Sequence, residues 1–298
     1  MIILFNNFEA FSGMPLIVGY IFFFALGAIV GSFLNVVIHR VPLHKSIVFP
    51  NSACPKCEKN IKPYDNIPIL SWLILGGKCR NCKNRISARY PGVELLTALL
   101  FVLVFWRIGF VAFLPVALIF TASIISLIFI DAEHMILPNV ITYPLLVLAL
   151  VVRLAFPIVF GVSGSFSDFG YYPLTLLEGQ PIWLISLAGA LLGGIMGGGS
   201  LWLVGEVWKR LRGVDAMGLG DVKMMFGVGA LLGWRLTFLS IFIGAFSGAI
   251  AGIALISRQK EKNLQAQIPF GIFLGIGSIV ALLFGEQLVG WYIENFVP

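Results

Sequence analysis

The stretch LIVGYIFFFALGAIVGSFLNVV, Leu16–Val37, carries no charged residue. A helix crossing the hydrocarbon core of a bilayer needs about 20 consecutive apolar residues, so this stretch predicts a membrane span. Further runs of that kind occupy Phe110–Ile130, Pro181–Val204 and Leu236–Ile256. Only 11% of the 298 residues are charged and 59% are hydrophobic, against about 25% charged in an ordinary soluble domain. The composition therefore excludes a soluble globular protein. The first run is too long for the core of a signal peptide, and no basic residue precedes it, so it is expected to remain as an anchor.

The net charge of +6 conceals an uneven distribution. Arg40–Arg89 holds ten Lys and Arg against Glu58 and Asp65 alone. In a protein crossing a membrane many times, basic density marks cytoplasmic loops, and we read the block that way rather than as a nucleic-acid surface. The topology then follows. Spans are expected at about Pro15–Ile38, Glu94–Ile108, Phe110–Ile130, Pro138–Pro157, Pro181–Val207, from Asp221 for about a dozen residues, Leu236–Ser257 and Ile268–Val289, with both termini outside. The sixth is short, because Trp234-Arg235 interrupts it, and it is the candidate for a re-entrant segment. Gly161–Gln180 is expected to be external: no Lys or Arg occurs between Leu154 and Trp208. Glycines recur every fourth residue at Gly189, Gly193 and Gly197, and at Gly244, Gly248 and Gly252. Such stripes allow close helix packing inside one bundle.

All four cysteines lie in the basic block, as CPKC (Cys54–Cys57) and CRNC (Cys79–Cys82). Two C-x2-C pairs can supply a closed tetrahedron of thiolates, the donor set of a structural zinc. Two disulfides are the alternative, and they need an oxidising compartment. His39 and His44 read as interfacial or solvated rather than as ligands.

Acidic residues beside apolar runs are few, and in membranes such residues mark function. They are Glu94, Asp131, Glu133, Glu206, Asp215 and Asp221. Asp131 ends IISLIFI; Asp221 ends GLGD and opens an apolar run. Gly218 and Gly220 allow a tight turn and a close approach. Alone, Asp221 reads as a helix cap and Lys223 as a snorkelling lysine. Two aspartates at one depth on two helices can share a proton, since neighbouring carboxylates in a poorly hydrated site do not both ionise readily. Such a pair supplies a general base and a general acid together, which is what activating water against a peptide bond requires.

At these residues the chain resembles the type IV prepilin peptidases. The resemblance rests on GSFLNVVIHRVP (Gly31–Pro42), the paired CPKC and CRNC, RYPGVELLTALLF (Arg89–Phe101), DAEHMILPN (Asp131–Asn139), GLGDVK (Gly218–Lys223) and IPFGIFLGIGS (Ile268–Ser278). It implies a membrane aspartic endopeptidase with Asp131 and Asp221 as its catalytic carboxylates, similar in that respect to presenilin-type proteases. It implies cleavage of the basic leader of prepilins and pseudopilins after glycine, at the cytoplasmic face of the bacterial inner membrane. It further implies N-methylation of the new terminus with S-adenosylmethionine as donor, and a zinc loop on Cys54, Cys57, Cys79 and Cys82. The methyl-donor residues are not identified; Gly31–Pro42 and the cysteine loop are the regions to search. Glu133 and Asp215 are candidates to attract the leader's positive charge, and the basic loop is a candidate for contact with lipid head groups.

The expected fold is thus an all-α polytopic membrane protein of about eight transmembrane helices with a small zinc-binding cytoplasmic loop domain between the first two. The expected division is an anchor at 1–39, the loop at 40–92 and a peptidase bundle at 93–298. The rival from another class is a proton- or cation-coupled transporter using Asp131 and Asp221 as a relay. Oligomeric state is left open by the sequence.

Overall fold

A computed structural model describes residues 7–157, 174–177, 179–214, 217–258 and 269–296. Most of the expected external loop Gly161–Gln180, and Asp215, lie outside the described residues. The described chain is helical; its only β pairing is two isolated bridges, Ala53 with Asn60 and Lys78 with Arg85. It divides into two compact units, Met1–Ser126 and Leu127–Pro298.

In the first unit α1 (Phe8–Ser12) leads into α2 (Leu16–Arg40). Glu9 accepts the Leu16 amide at 2.7 Å, satisfying one of the free donors at the start of α2. The short α3 (Leu70–Ile74) lies within the cysteine loop, and α4 (Arg89–Ile108) follows it. The helix of α4 begins five residues before the expected Glu94. Pro91 does not stop it, because a proline in the first turn loses no intrahelical bond. α2 and α4 pack through glycines: a Cβ on Gly27 would lie 2.7 Å from the Ala98 Cα, and one on Gly31 2.7 Å from the Glu94 Cα. This G-x3-G pair is a close-approach stripe beyond the two read in the sequence. α5 (Leu114–His134) starts in the first unit and ends in the second.

The second unit continues with α6 (Asn139–Ala155), α7 (Ile182–Arg212), α8 (Leu219–Leu232), α9 (Trp234–Arg258) and α10 (Phe270–Phe296). Among the described residues six helices, α2, α4, α5, α7, α9 and α10, are long and apolar enough to cross a membrane, and α6 is a shorter apolar helix. α8 has 14 residues, about 21 Å at 1.5 Å per residue, short of a hydrocarbon core of about 30 Å. Its end is set by Gly233, whose φ of 82° suits glycine; Arg235 already belongs to α9.

α8 is the buried centre of the unit. Its residues Val222, Met224, Met225 and Gly227–Leu232 are all buried. α7 passes it with a π-helical turn at Ile195–Gly199. There Gly193 meets the carbonyl of Gly229, Gly197 that of Met225, and Gly198 the Phe226 ring. On α9, Gly244 lies against Leu274 and Gly248 against Phe273 of α10. Both expected stripes thus serve packing within the chain. At the far end of α8, Arg153 of α6 is wholly buried and donates to the carbonyls of Ala230 (3.0 Å) and Leu231 (2.9 Å). A cation there answers the carbonyl end of the helix dipole.

Candidate active site

Three helix ends of the second unit meet at one place. Asp131 sits in the last turn of α5, rather than just beyond it, because α5 runs on to His134. The chain then turns through Met135, at a φ of 53°, and Pro138 precedes α6. Asp221 is the third residue of α8, so it is not the cap; Gly218 holds that position with an extended backbone. The Asp221 carboxylate folds back on Gly218, whose backbone hydrogen-bonds to it. This is the geometry of an acid at the third position reaching the cap. Gly220 serves close approach: a Cβ there would stand 2.9 Å from the Cβ of Leu137. The DAEHMILPN turn thereby docks directly on the start of α8.

The third element is α10. Its second and third residues, Gly271 and Ile272, direct backbone amides at Asp131, the Ile272 N–H donating to Oδ2 at 3.2 Å. Amides in a first helical turn have no partner within the helix, so a carboxylate is a natural acceptor there. Gly271 also separates the two acids. A methyl group in its place would stand 2.8 Å from Oδ2 of Asp131 and 3.0 Å from Oδ1 of Asp221. Both carboxylates therefore converge on one small volume, and both are buried, at 5% and 9% exposure. Two acids so placed can hold one proton between them and grip a single water. Lys223 is directed away, to the Asn139 Oδ1 at 3.0 Å and the face of Tyr143.

Among the described residues, Glu94, Glu133 and Glu206 are not part of this cluster. Glu94 accepts the Ile69 amide at 2.7 Å in the first unit, Glu206 pairs with Arg210 one turn along α7, and Glu133 is exposed. His39, His44 and His134 are exposed as well. The sequence reading did not single out Gly271 or Arg153. A lone arginine in the run LVVRLAF was a usable signal, since charge in an apolar helix demands a partner.

In the first unit the four cysteine sulfurs lie within 4.8 Å of one another, and none is in a disulfide. The two knuckles are built alike. Cys54 N–H donates to the Lys59 carbonyl and Cys79 N–H to that of Asn84. Glu58 and Lys83, each four residues after its first cysteine, adopt left-handed φ values of 56° and 57°. The backbone amides of Cys57 and Lys56 hold the Cys54 thiol well below its ordinary range, down to about 6. The amides of Cys82 and Asn81 lower Cys79 in the same way. The first cysteine of each knuckle thus favours a thiolate before any metal arrives. At Cys82 the Asn84 amide is outweighed by desolvation and the neighbouring sulfurs, which push that thiol up to about 11. The cluster could hold a metal ion.

Residues 25–108 match the bacterial peptidase A24 N-terminal domain, and residues 118–253 match the type IV leader peptidase family. A prepilin leader peptidase/N-methyltransferase of Pseudomonas aeruginosa is 36% identical over 292 residues, 90% of this chain and 91% of that protein. One from Aeromonas hydrophila is 35% identical over 314 residues, 97% of this chain and 98% of its own. One from Neisseria gonorrhoeae is 38% identical over 297 residues, covering 91% and 93%. No solved structure matches the chain. The relationship extends over nearly the full length of both partners, and the chain belongs to the type IV leader peptidase family.

Proposed function

We propose that the protein is a membrane aspartic endopeptidase that removes the basic leader of type IV prepilins and pseudopilins after glycine, and then N-methylates the new terminus. The observation that carries the peptidase part of this reading is the convergence of Asp131 and Asp221 on the space beside Gly271; the prepilin substrate and the methyl transfer rest on the relatives. In the cleavage step one carboxylate takes a proton from the bound water as its oxygen bonds to the scissile carbonyl carbon. The partner gives its proton to the carbonyl oxygen. Collapse of the tetrahedral diol breaks the C–N bond, with the proton passing to the leaving amine. The products are a leader ending in a carboxylate and a pilin with a free amine. The two acids act as a unit, so neither has a fixed role. The transporter reading is not supported: the acids stand at helix ends, and the relatives are peptidases.

The metal of the four-cysteine cluster is read as zinc in a structural role, since an all-thiolate tetrahedron leaves no open position for substrate. The catalytic ends and the loop are read as cytoplasmic from the basic density of Arg40–Arg89. S-adenosylmethionine supplies a methyl group to the pilin amine when bound. Buried Asn35 offers a free acceptor that suits one donor of that molecule, such as its ammonium group. Its amide nitrogen donates to the Gly31 and Tyr90 carbonyls, while its Oδ1 has no hydrogen-bond partner among the described residues. Asn35 is the residue we read as a contact for the methyl donor.

The test is mass spectrometry of a prepilin incubated with the full-length enzyme in lipid nanodiscs and S-adenosylmethionine. A pilin shortened after glycine and carrying one added methyl group is expected. A prepilin left intact would sink the peptidase reading.

A further inference from the structure

Helix α3 is built inside out. Ser71 is buried, its hydroxyl donating to the Tyr64 carbonyl at 3.1 Å. Trp72 turns inward too, its indole N–H donating to Ile86 and its ring lying against Gly77. The aliphatic side chains face outward: Leu70 is 56% exposed, Leu73 60% and Ile74 79%, with Ile67 at 48% just before. A helix bathed in water turns its apolar face to the core. Exposed apolar clusters rimmed by polar residues mark a surface that meets something.

The level of α3 is fixed by one bond. The Ile69 amide donates to Glu94 Oε2 at 2.7 Å. Glu94 lies in the second turn of α4, a helix long and apolar enough to cross a membrane. α3 therefore starts beside the first turns of a span, where hydrocarbon gives way to head groups. The bond also sustains an unusual backbone. Ile69 sits at φ 63° and ψ −53°, with the Leu70 amide reaching the Pro68 carbonyl at 2.6 Å. That is a strained γ-turn for any β-branched residue, and such strain persists only where the surroundings impose it.

The charge around α3 points the same way. Of the two acids among ten basic residues in Arg40–Arg89, Asp65 is already engaged by the Arg80 guanidinium through bonds of 2.6–3.0 Å. The remaining excess is complementary to anionic lipid head groups.

We propose that α3, with Ile67, lies in the head-group boundary of an anionic phospholipid bilayer and holds the four-cysteine loop down on the membrane face. An apolar face sunk a few ångströms into the interface, flanked by basic residues, is the arrangement of a monotopic anchor. The proposal does not depend on the peptidase reading.

The test uses the full-length enzyme in phosphatidylglycerol nanodiscs with co-reconstituted prepilin. Leu73→p-benzoylphenylalanine and Ile74→p-benzoylphenylalanine are irradiated, with Lys59→p-benzoylphenylalanine as the water-facing control. Lipid adducts at positions 73 and 74, at least tenfold above position 59, are expected. Adducts to prepilin or to a second enzyme copy instead, or yields equal to the control, would overturn the proposal. The unmodified enzyme supplies a second measurement, by hydrogen exchange over Leu70–Leu75. Slower exchange in anionic than in zwitterionic nanodiscs is expected, and equal exchange would overturn the proposal as well.

Discussion

The backbone N–H of Ile272 donates to the carboxylate of Asp131 across 3.2 Å, joining the first turn of α10 to the last turn of α5. The amide is one that α10 cannot use itself, and the positive end of the helix faces an acid. This bond sets where Asp131 stands, while the fold of GLGD against Leu137 sets where Asp221 stands. The candidate active site is thus an agreement among three helix termini, and α10 contributes to it through its backbone.

Gly271→Ala tests that agreement. The added methyl would stand within 2.8–3.0 Å of both carboxylates, so at least one of them must move. A displacement of about 1 Å in a reacting group lowers rates by ~10²-fold, and a cleavage rate reduced at least that much is expected. Folding should be retained. Alanine is favoured over glycine in a helix by up to ~1 kcal/mol, which offsets part of an overpacking penalty of ~1–3 kcal/mol. A Gly271→Ala enzyme cleaving prepilin at the wild-type rate would show that the space between the acids is not where water is held.

The cysteine cluster gives a separate expectation. Purified enzyme should carry one zinc, and Cys57→Ser should lose it, because three thiolates and a hydroxyl make a poorer donor set. Metal binding supplies much of the folding energy of small loops of this kind, so Cys54–Arg85 should become susceptible to limited proteolysis while helical content stays unchanged. Elemental analysis of both proteins and a proteolysis time course decide it; equal zinc in both would refute the ligand assignment.

Sidedness is tested by labelling. In a background with the four cysteines replaced, Ser46→Cys should react with an impermeant thiol reagent only after the membrane is opened, and Gln180→Cys should react in intact cells. The basic density of Arg40–Arg89 requires this pattern if it marks the cytoplasmic side. Labelling of position 46 in intact cells would reverse the topology.

Arg153 should matter to stability more than to chemistry. It is buried, and its two bonds to Ala230 and Leu231 close the end of α8 opposite Asp221. Hydrogen bonds from charged donors contribute about 1.5–3 kcal/mol each, so Arg153→Met should lower the thermal midpoint clearly. At low temperature its cleavage rate should stay within about tenfold of wild type, because the Asp221 end of α8 is held separately by Gly220 and Leu137. Loss of cleavage with an unchanged midpoint would contradict this division of labour.

What the sequence revealed and what it hid follow one physical line. Apolar runs and C-x2-C spacing are local signals, and they located the spans and the four-thiol cluster. Asp131 and Asp221 were legible as a pair because each stands at the border of an apolar run, where a charge is unfavourable. Gly271 was not, since its role exists only after α10 meets α5 and α8, and a glycine in PFG has no local mark of that meeting. α4 starts at Arg89, ahead of the expected Glu94, because the polar RYPG opens the helix before the apolar run does, and its first turn tolerates Pro91. The outward face of α3 was hidden for a related reason: LSWLI gives no sign of which side Ser71 and Trp72 take until they donate to the carbonyls of Tyr64 and Ile86.

The acids themselves carry the last prediction. Asp131→Asn and Asp221→Asn should each abolish leader cleavage, since an amide keeps the shape of the side chain but cannot take a proton from water. General acid–base participation contributes ~10²–10⁴-fold per group. The two carboxylates converge beside Gly271 and share one function, so their losses are not additive: the double variant should be little slower than either single one. Glutamate at either position should restore little, because an added methylene pushes the carboxylate into the space that Gly271 keeps open. Stability should hold or rise slightly, since each change removes an acid from a buried site. Methyl transfer to an already cleaved pilin should persist in both variants, since the proposed methyl-donor contact, Asn35, lies in the first unit and the aspartates in the second. Rates for the single and double variants, measured with uncut prepilin and with mature pilin as separate substrates, read all of these at once. Near wild-type cleavage by either folded single variant would mean that the water is activated by other groups.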